Sequence, residues 1–353
     1  MKSIFLFLSS VLSLKKTAAR LLSVTLLVFG MSSFFLTTGC SKKRSTAKNS
    51  SSNEISIVTT IFAPYDFARE ITKGTGDKIT MLLPPGSEVH SWEPTAKDII
   101  RIQDSSMFIY AGGEGDVWAD KLIKSSDKKI HALRMIDCVK LFEEAHPDGM
   151  EPEKEDQEDI SSNKAVTEPA NETEWDEHVW MSPKNVILIV QKICDELCVI
   201  DSAHADSYKA NTASYIVQLM NIDNEFADVV SHAERKTIVF ADRFPARYFV
   251  EEFGLNYYAA FPGCAADTEP SASTVAFIIN KVKAEKIPFV FYIELSNQKM
   301  ADTVCEATGA KKLLFHCCHN LSKEDFKNGA TYLSKMKENV LSLKQALGTT
   351  LGK

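Results

Sequence analysis

The sequence predicts two α/β lobes, each with a mostly parallel sheet flanked by helices, joined by one long helix. Three observations carry this reading. Short β-branched runs alternate with helical stretches from Ile55 to Ile123, a stretch from Ala205 to Ala233 contains neither Gly nor Pro, and the alternation starts again at Thr237. Consecutive strand–helix–strand units favour a parallel sheet with helices on its faces. A helix without breakers over that length spans a whole domain and serves as a rigid connector. Two lobes leave a cleft between them, and small ligands bind in such clefts.

The chain opens with Lys15, Lys16 and Arg20 before an apolar run, Leu21 to Leu36, that ends at Thr37-Thr38-Gly39-Cys40. A basic segment, an apolar core and small residues before a cut describe a secretory signal over residues 1–40. Gly39-Cys40 resembles the end of a bacterial lipobox with Cys40 as the lipid-attachment residue, although Thr37 stands where Leu is usual. An uncleaved signal anchor is the alternative. The polar, Ser/Lys/Asn-rich residues 41–53 read as a flexible tether. Export permits disulfides, but the 8 cysteines leave an odd number once Cys40 is set aside. Cys194 and Cys198 fall one helical turn apart and read as core packing. The absence of a CxxC pair argues against a zinc ribbon.

The N-terminal lobe, residues 54–203, begins with a strand at Ile55–Thr59 and a helix over 64–72. A strand over 79–83 and a capped helix over 96–103 follow. A strand over 107–110 then ends at Gly112-Gly113, with a helix through Ile123. Residues 143–177 carry fourteen acidic residues against two lysines and three prolines. That composition predicts a mobile, self-repelling loop. Pro183 opens a helix to about Val199, and the connecting helix occupies 204–234, with Tyr215, Ile216, Leu219, Met220, Ile222 and Phe226 at helical spacing. The C-terminal lobe, 235–353, has strands over 237–241, 257–261, 289–293 and 312–315. Its helices fall over 246–253, 272–286, 298–308 and 332–347. A composition 44% apolar and 25% charged fits a globular protein, and a net charge of −7 gives no sign of the basic face that nucleic acid requires.

Three loops carry chemistry. In the first, Pro84, Pro85 and Gly86 turn the chain after a strand and deliver Glu88, His90, Trp92 and Glu93. In the second, Trp175 to Pro183, His178 precedes a helix with Asp176 and Glu177 to orient it and two tryptophans to exclude water. The third, His316-Cys317-Cys318-His319, follows the last strand. Imidazole and thiolate suit zinc and similar borderline cations, while a disulfide is the alternative for Cys317 and Cys318. His131, His204 and His232 lack neighbours of ligand type and read as surface or helix histidines.

The segments PPGSEVHSWEPTAKD and DEHVWMSPKNV, separated by an acidic insertion, resemble the zinc- and manganese-binding lipoproteins of bacterial ABC importers. These are the cluster A-I solute-binding proteins of the ZnuA/TroA-like family. IVTTIFAPYDFAREI, the long central helix, EEFGL and ATYLSKMKENVLSLKQAL extend the resemblance over about 55–347. It implies two lobes bridged by a backbone helix with one metal at their interface. His90 and His178 match the first two ligands. Counting back from EEFGL puts the third at Arg243, which cannot ligate a cation, so Asp242 substitutes if the loop is shifted by one. The fourth falls near Asn320, beside His319. The expected set is therefore His90, His178, Asp242 and His319, with His316 and Cys318 behind them. Arg243 and Arg247 are expected to pair with acids, Glu269 or Glu294 among them.

The resemblance implies a monomeric receptor, lipid-anchored outside the cytoplasm, that captures Zn(II), or Mn(II), for an ABC permease. Four protein ligands leave no open position for the water that a hydrolase needs, and there is no HExxH or HxxEH motif. The chain is therefore not expected to be an enzyme. The rival readings are an exported zinc-dependent hydrolase and a metal-free surface adhesin on the same fold.

Overall fold

The computed structural model describes residues 54–89, 91–144, 174–263 and 270–349, all within one compact unit. Cys40, His90, Cys264, Glu269 and most of the acidic segment lie outside the described residues.

The first sheet holds β1 (Ser56–Thr59), β2 (Lys78–Met81), β3 (Met107–Tyr110) and β4 (Ala132–Arg134). Its order is β2-β1-β3-β4 and every pairing is parallel. The helices α1 (Phe62–Ile71), α2 (Ala96–Gln103) and α3 (Val117–Ser125) flank it. Thr95 and Asp98 close α2 with a reciprocal capping box, as the Thr-x-x-Asp spacing permits. The second sheet holds β5 (Thr237–Phe240), β6 (Asn256–Ala259), β7 (Phe289–Tyr292) and β8 (Lys311–Leu314), again all parallel, in the order β6-β5-β7-β8. Both lobes thus repeat one topology. In such sheets ligands gather outside the carboxyl ends of the strands, where the strand order reverses.

Alternation along the strands builds three apolar clusters. Ile57, Met107 and Ile109 from the first sheet share one core with Ile238, Phe240 and Phe291 from the second. The opposite faces are served separately, by Val58, Phe108 and Tyr110 in one lobe and by Val239, Ala241 and Val290 in the other. The shared core runs along α5 (Ala205–Ser231), whose 27 residues extend about 40 Å. Tyr208, Thr212, Tyr215, Leu219, Ile222 and Phe226 are its buried stripe, stepping by four and three. Met220, expected on that stripe, is 51% exposed because it lies about a quarter-turn from Leu219.

The remaining helices are α4 (Pro183–Ile200), α6 (Arg247–Phe253), α7 (Ala272–Ala284), α8 (Lys299–Thr308), α9 (Lys323–Lys327) and α10 (Tyr332–Leu347). Among the described residues no helix is long and apolar enough to cross a membrane. Cys138, Cys194, Cys198, Cys305, Cys317 and Cys318 are free thiols, so the disulfide alternative for Cys317 and Cys318 does not hold. His131, His204 and His232 each contact an acidic side chain away from the site.

Candidate metal centre

The His178 loop is fixed at both ends. Ser182 caps α4 by accepting the Asn185 N–H (3.1 Å), and Pro183 occupies the first helical turn, where a missing N–H costs nothing. A turn of 3-10 helix, Val179–Met181, leads into that cap. Tyr248 of α6 donates its hydroxyl to the Asp176 carbonyl (2.8 Å), so the second lobe holds the loop too. Asp176 Oδ1 accepts the His178 backbone N–H (2.8 Å) and lies 3.1 Å from its Nδ1. His178 is fully buried, and its Nε2 has no hydrogen bond among the described residues. Burial alone would lower its pKa, but the Asp176 and Glu177 carboxylates outweigh burial and raise it.

Glu177 rests in a glycine cradle. Its Oε2 accepts the Gly115 N–H (2.9 Å), and a Cβ on Gly113, whose φ is +85°, would come within 2.6 Å of the Glu177 Cβ. Burial pushes the Glu177 carboxyl up to about 7, against the pull of His178. Gly263 closes the opposite side of the imidazole, because a Cβ there would meet His178 Cε1 at 2.9 Å.

The His319 loop leaves the carboxyl end of β8. Asn339 of α10 clamps His316 by accepting its N–H (2.7 Å) and donating to its carbonyl (2.8 Å). Cys318 turns the chain with φ of 58°, in the left-handed region. The His319 carbonyl accepts the Phe62 N–H at the start of α1 (2.8 Å), a donor that Ile61 has no side chain to cap. Trp180 donates its indole N–H to the Cys317 carbonyl (2.8 Å).

These two loops meet. The His178 and His319 rings stand edge-on with centroids 4.9 Å apart, and the buried Trp180 ring lies 5.4 Å from one and 5.2 Å from the other. Glu177, His178 and His319 each present a ligand atom, all within 4.8 Å of one another, and Glu294, Cys317 and His319 form a second such group. Imidazole nitrogens backed by hydrogen bonds on their far side, with a carboxylate and an aromatic wall, make a donor set for a divalent cation.

The other expected residues fare differently. His90 and Cys40 lie outside the described residues. Asp242 follows β5 but belongs to neither group; its two carboxylate oxygens accept the N–H of Arg243 (2.9 Å) and of Ile293 (3.2 Å). With Arg243 and Glu88 it lines a cavity of about 230 Å³. His316 uses Nδ1 to accept the Cys318 N–H (3.0 Å), and burial lowers its pKa. The Cys318 thiol is fully buried, which pushes its pKa well up. Arg247 pairs with Glu251 (2.6 Å) and Arg243 approaches Glu88 (4.0 Å). Glu294, expected to face one of these arginines, turns instead to the Cys317 and His319 backbone. Glu177, expected only to orient His178, and Cys317, expected only as part of the His316–His319 loop, supply ligand atoms to these groups, and Glu294 was missed. The flanking of His178 by carboxylates was the available signal for Glu177, whereas nothing local marked Glu294.

Two parallel α/β lobes on a common spine, with histidines converging between them, define a two-lobed α/β fold with a candidate metal centre. The chain belongs to the ZnuA family, described as zinc-uptake complex component A periplasmic, whose family model matches residues 57–346. It is 29% identical over 323 residues to zinc-binding lipoprotein AdcA of Streptococcus pneumoniae (strain ATCC BAA-255 / R6), covering 91% of this chain and 60% of that protein. The chain thus spans about three fifths of that relative's length. It is 28% identical over 319 residues to high-affinity zinc uptake system protein ZnuA of Bacillus subtilis (strain 168), covering 89% of this chain and 94% of that one. Among solved structures, the Zn(II)-bound ZnuA-like domain of Streptococcus pneumoniae AdcA matches with a TM-score of 0.66 at 28% identity. That match covers 83% of this chain and 99% of the domain.

Proposed function

We propose that the chain is an extracytoplasmic receptor that captures Zn(II) and hands it to the permease of an ABC importer. Lipid on Cys40 holds it at the membrane, and it acts as a monomer. The observation that carries this reading is the meeting of His178 and His319, one from each lobe, with ring centroids 4.9 Å apart and both buried against the Trp180 ring. Relatives named for zinc binding and zinc uptake support it. A donor set dominated by imidazole favours Zn(II) over Mn(II), which prefers more oxygen.

The ligands proposed are His178, His319 and the Glu177 carboxylate, joined by His90 from the loop after β2. Glu177 takes the place assigned to Asp242, whose oxygens are committed to main-chain N–H groups. Each group has a simple task. Asp176 orients His178, Trp180 excludes water, and Glu177 offsets the cation's charge. With its protein ligands in place the centre sequesters metal and does not turn over a substrate.

Isothermal titration of purified protein with zinc tests the reading. One equivalent is expected, with His90→Ala, His178→Ala and His319→Ala each weakening binding by at least about tenfold. Glu177→Gln should weaken it and Asp242→Ala should not. Unchanged affinity in both His178→Ala and His319→Ala would sink the assignment.

A further inference from the structure

The two histidines are held alike, but by different chemistry. His178 Nδ1 faces a carboxylate directly, Asp176 Oδ1 at 3.1 Å. His319 Nδ1 faces sulfur, Cys317 Sγ at 2.9 Å, and that sulfur lies 2.9 Å from Glu294 Oε2. Glu294 also accepts the backbone N–H of Cys317 (2.7 Å) and of His319 (3.1 Å), so the carboxylate is gripped by the loop it organises.

Proton bookkeeping fixes the direction of this chain. Cys317 donates its S–H to Glu294 Oε2, so the thiol proton is spent on that contact. The sulfur then offers His319 only lone pairs, and Nδ1 must be the donor. An imidazole protonated at Nδ1 carries its lone pair on Nε2, which is the form that ligates a cation. A carboxylate would set the same tautomer directly, as Asp176 does for His178. Here the carboxylate acts through a thiol.

The geometry points to Cys317 as the positioning residue of the metal centre: anchored on Glu294, it sets the His319 tautomer and aims Nε2 at the cation. This rests on the reading of His319 as a ligand. The alternative is that Cys317, Glu294 and His319 hold a cation themselves. Sulfur and nitrogen at 2.9 Å are at hydrogen-bond distance, however. A tetrahedral zinc between them requires about 3.5 Å, from Zn–S and Zn–N lengths of about 2.3 and 2.0 Å.

Two measurements on the purified full chain decide it. Long-range ¹H–¹⁵N correlation without metal reads the tautomer of His319 directly. The parent and Cys317→Ser should show protonated Nδ1, and Cys317→Ala should lose that preference. Zinc affinity should fall about 10–100-fold in Cys317→Ala, recover in Cys317→Ser, and stay unchanged in Cys318→Ser. Protonated Nε2 in the parent overturns the proposal whatever the variants do, and so does a Cys317→Ala protein with parental tautomer and affinity. A sulfur-to-metal charge-transfer band on Co(II) loading, lost in Cys317→Ser, would make Cys317 a ligand and overturn its positioning role. If His319→Ala leaves zinc binding intact, the ligand reading fails, while the tautomer measurement still judges the thiol relay by itself.

Discussion

Gly263→Ala probes the centre without replacing any proposed ligand. An ideal Cβ on Gly263 falls 2.8 Å from the Phe244 carbonyl oxygen, 2.9 Å from His178 Cε1 and 3.2 Å from His178 Nδ1. Comfortable carbon–carbon contact needs about 3.5–4.0 Å, so the imidazole or the main chain must withdraw by about 0.6–1 Å. The Phe244 carbonyl is main chain and yields less readily than a side chain. If the ring moves, its contact with Asp176 and its aim toward His319 both suffer. Misplacing a reacting or ligating group by about 1 Å costs up to about 100-fold. Loss of a group that orients a ligand costs about 10–100-fold. Zinc affinity should therefore fall about 10–100-fold, or about 1.4–2.7 kcal/mol. Overpacking should lower stability of the metal-free protein by about 1–3 kcal/mol. Competition against a chromophoric zinc chelator reads the first effect and thermal melting the second. Gly254→Ala is the control. Its φ of +63° makes alanine strained, but nothing lies within 4 Å of the added methyl, so it should lose stability and keep its affinity. A folded Gly263→Ala protein that binds zinc within twofold of the parent would refute the packing argument.

Other expectations concern the frame. Asp66 of α1 is buried, pairs with Arg69 (2.5 Å) and accepts the Tyr332 N–H at the start of α10 (2.7 Å). Burial, partly offset by Arg69, raises its pKa from 3.8 to about 6. Between those values the folded state holds a proton that the unfolded state has released. This group therefore makes stability fall as pH rises from about 4 to 6, by about 3 kcal/mol at most. Asp66→Asn should flatten that part of the profile in urea melts from pH 4.5 to 7, and parallel curves would refute the assignment. Tyr332 donates its buried hydroxyl to the Trp180 carbonyl (2.7 Å). Tyr332→Phe should cost about 1–3 kcal/mol in the same melts by orphaning that carbonyl, and an unchanged midpoint would count against it.

Where residues act through local pattern, the sequence was readable. The β-branched run of β1, the capped start of α2 and the unbroken α5 each depend on pattern within one element. His178 and His319 were legible because unusual residues crowd around them. β4 escaped notice because Ala132–Arg134 is a three-residue edge strand with one buried side chain, Leu133. The short α9 escaped too, although Ser322 capping the Asp325 N–H (3.0 Å) was a signal in plain view. Glu294 was beyond reach for a different reason. Its role arises because β7 and β8 are parallel neighbours, which sets the residue after one strand beside the loop after the other. No spacing within either segment encodes that adjacency. Asp242 was chosen by counting along the chain, and counting does not reveal that its oxygens serve backbone N–H groups.

Asn320 stands next to His319 and turns its side-chain amide to the loop after β2. Its amide donates to the Pro84 and Ser87 carbonyls, each at 2.8 Å, while Gly86 donates to the Leu321 carbonyl at 2.8 Å. The loop after β2 is thereby stitched to the loop after β8 by three hydrogen bonds. A frame fastened by its own hydrogen bonds needs little further ordering to hold a ligand, which favours tight retention. The same stitches limit how far it can gape. Unloading should then proceed by unpicking this seam, and small-angle scattering should find full and empty forms nearly the same size.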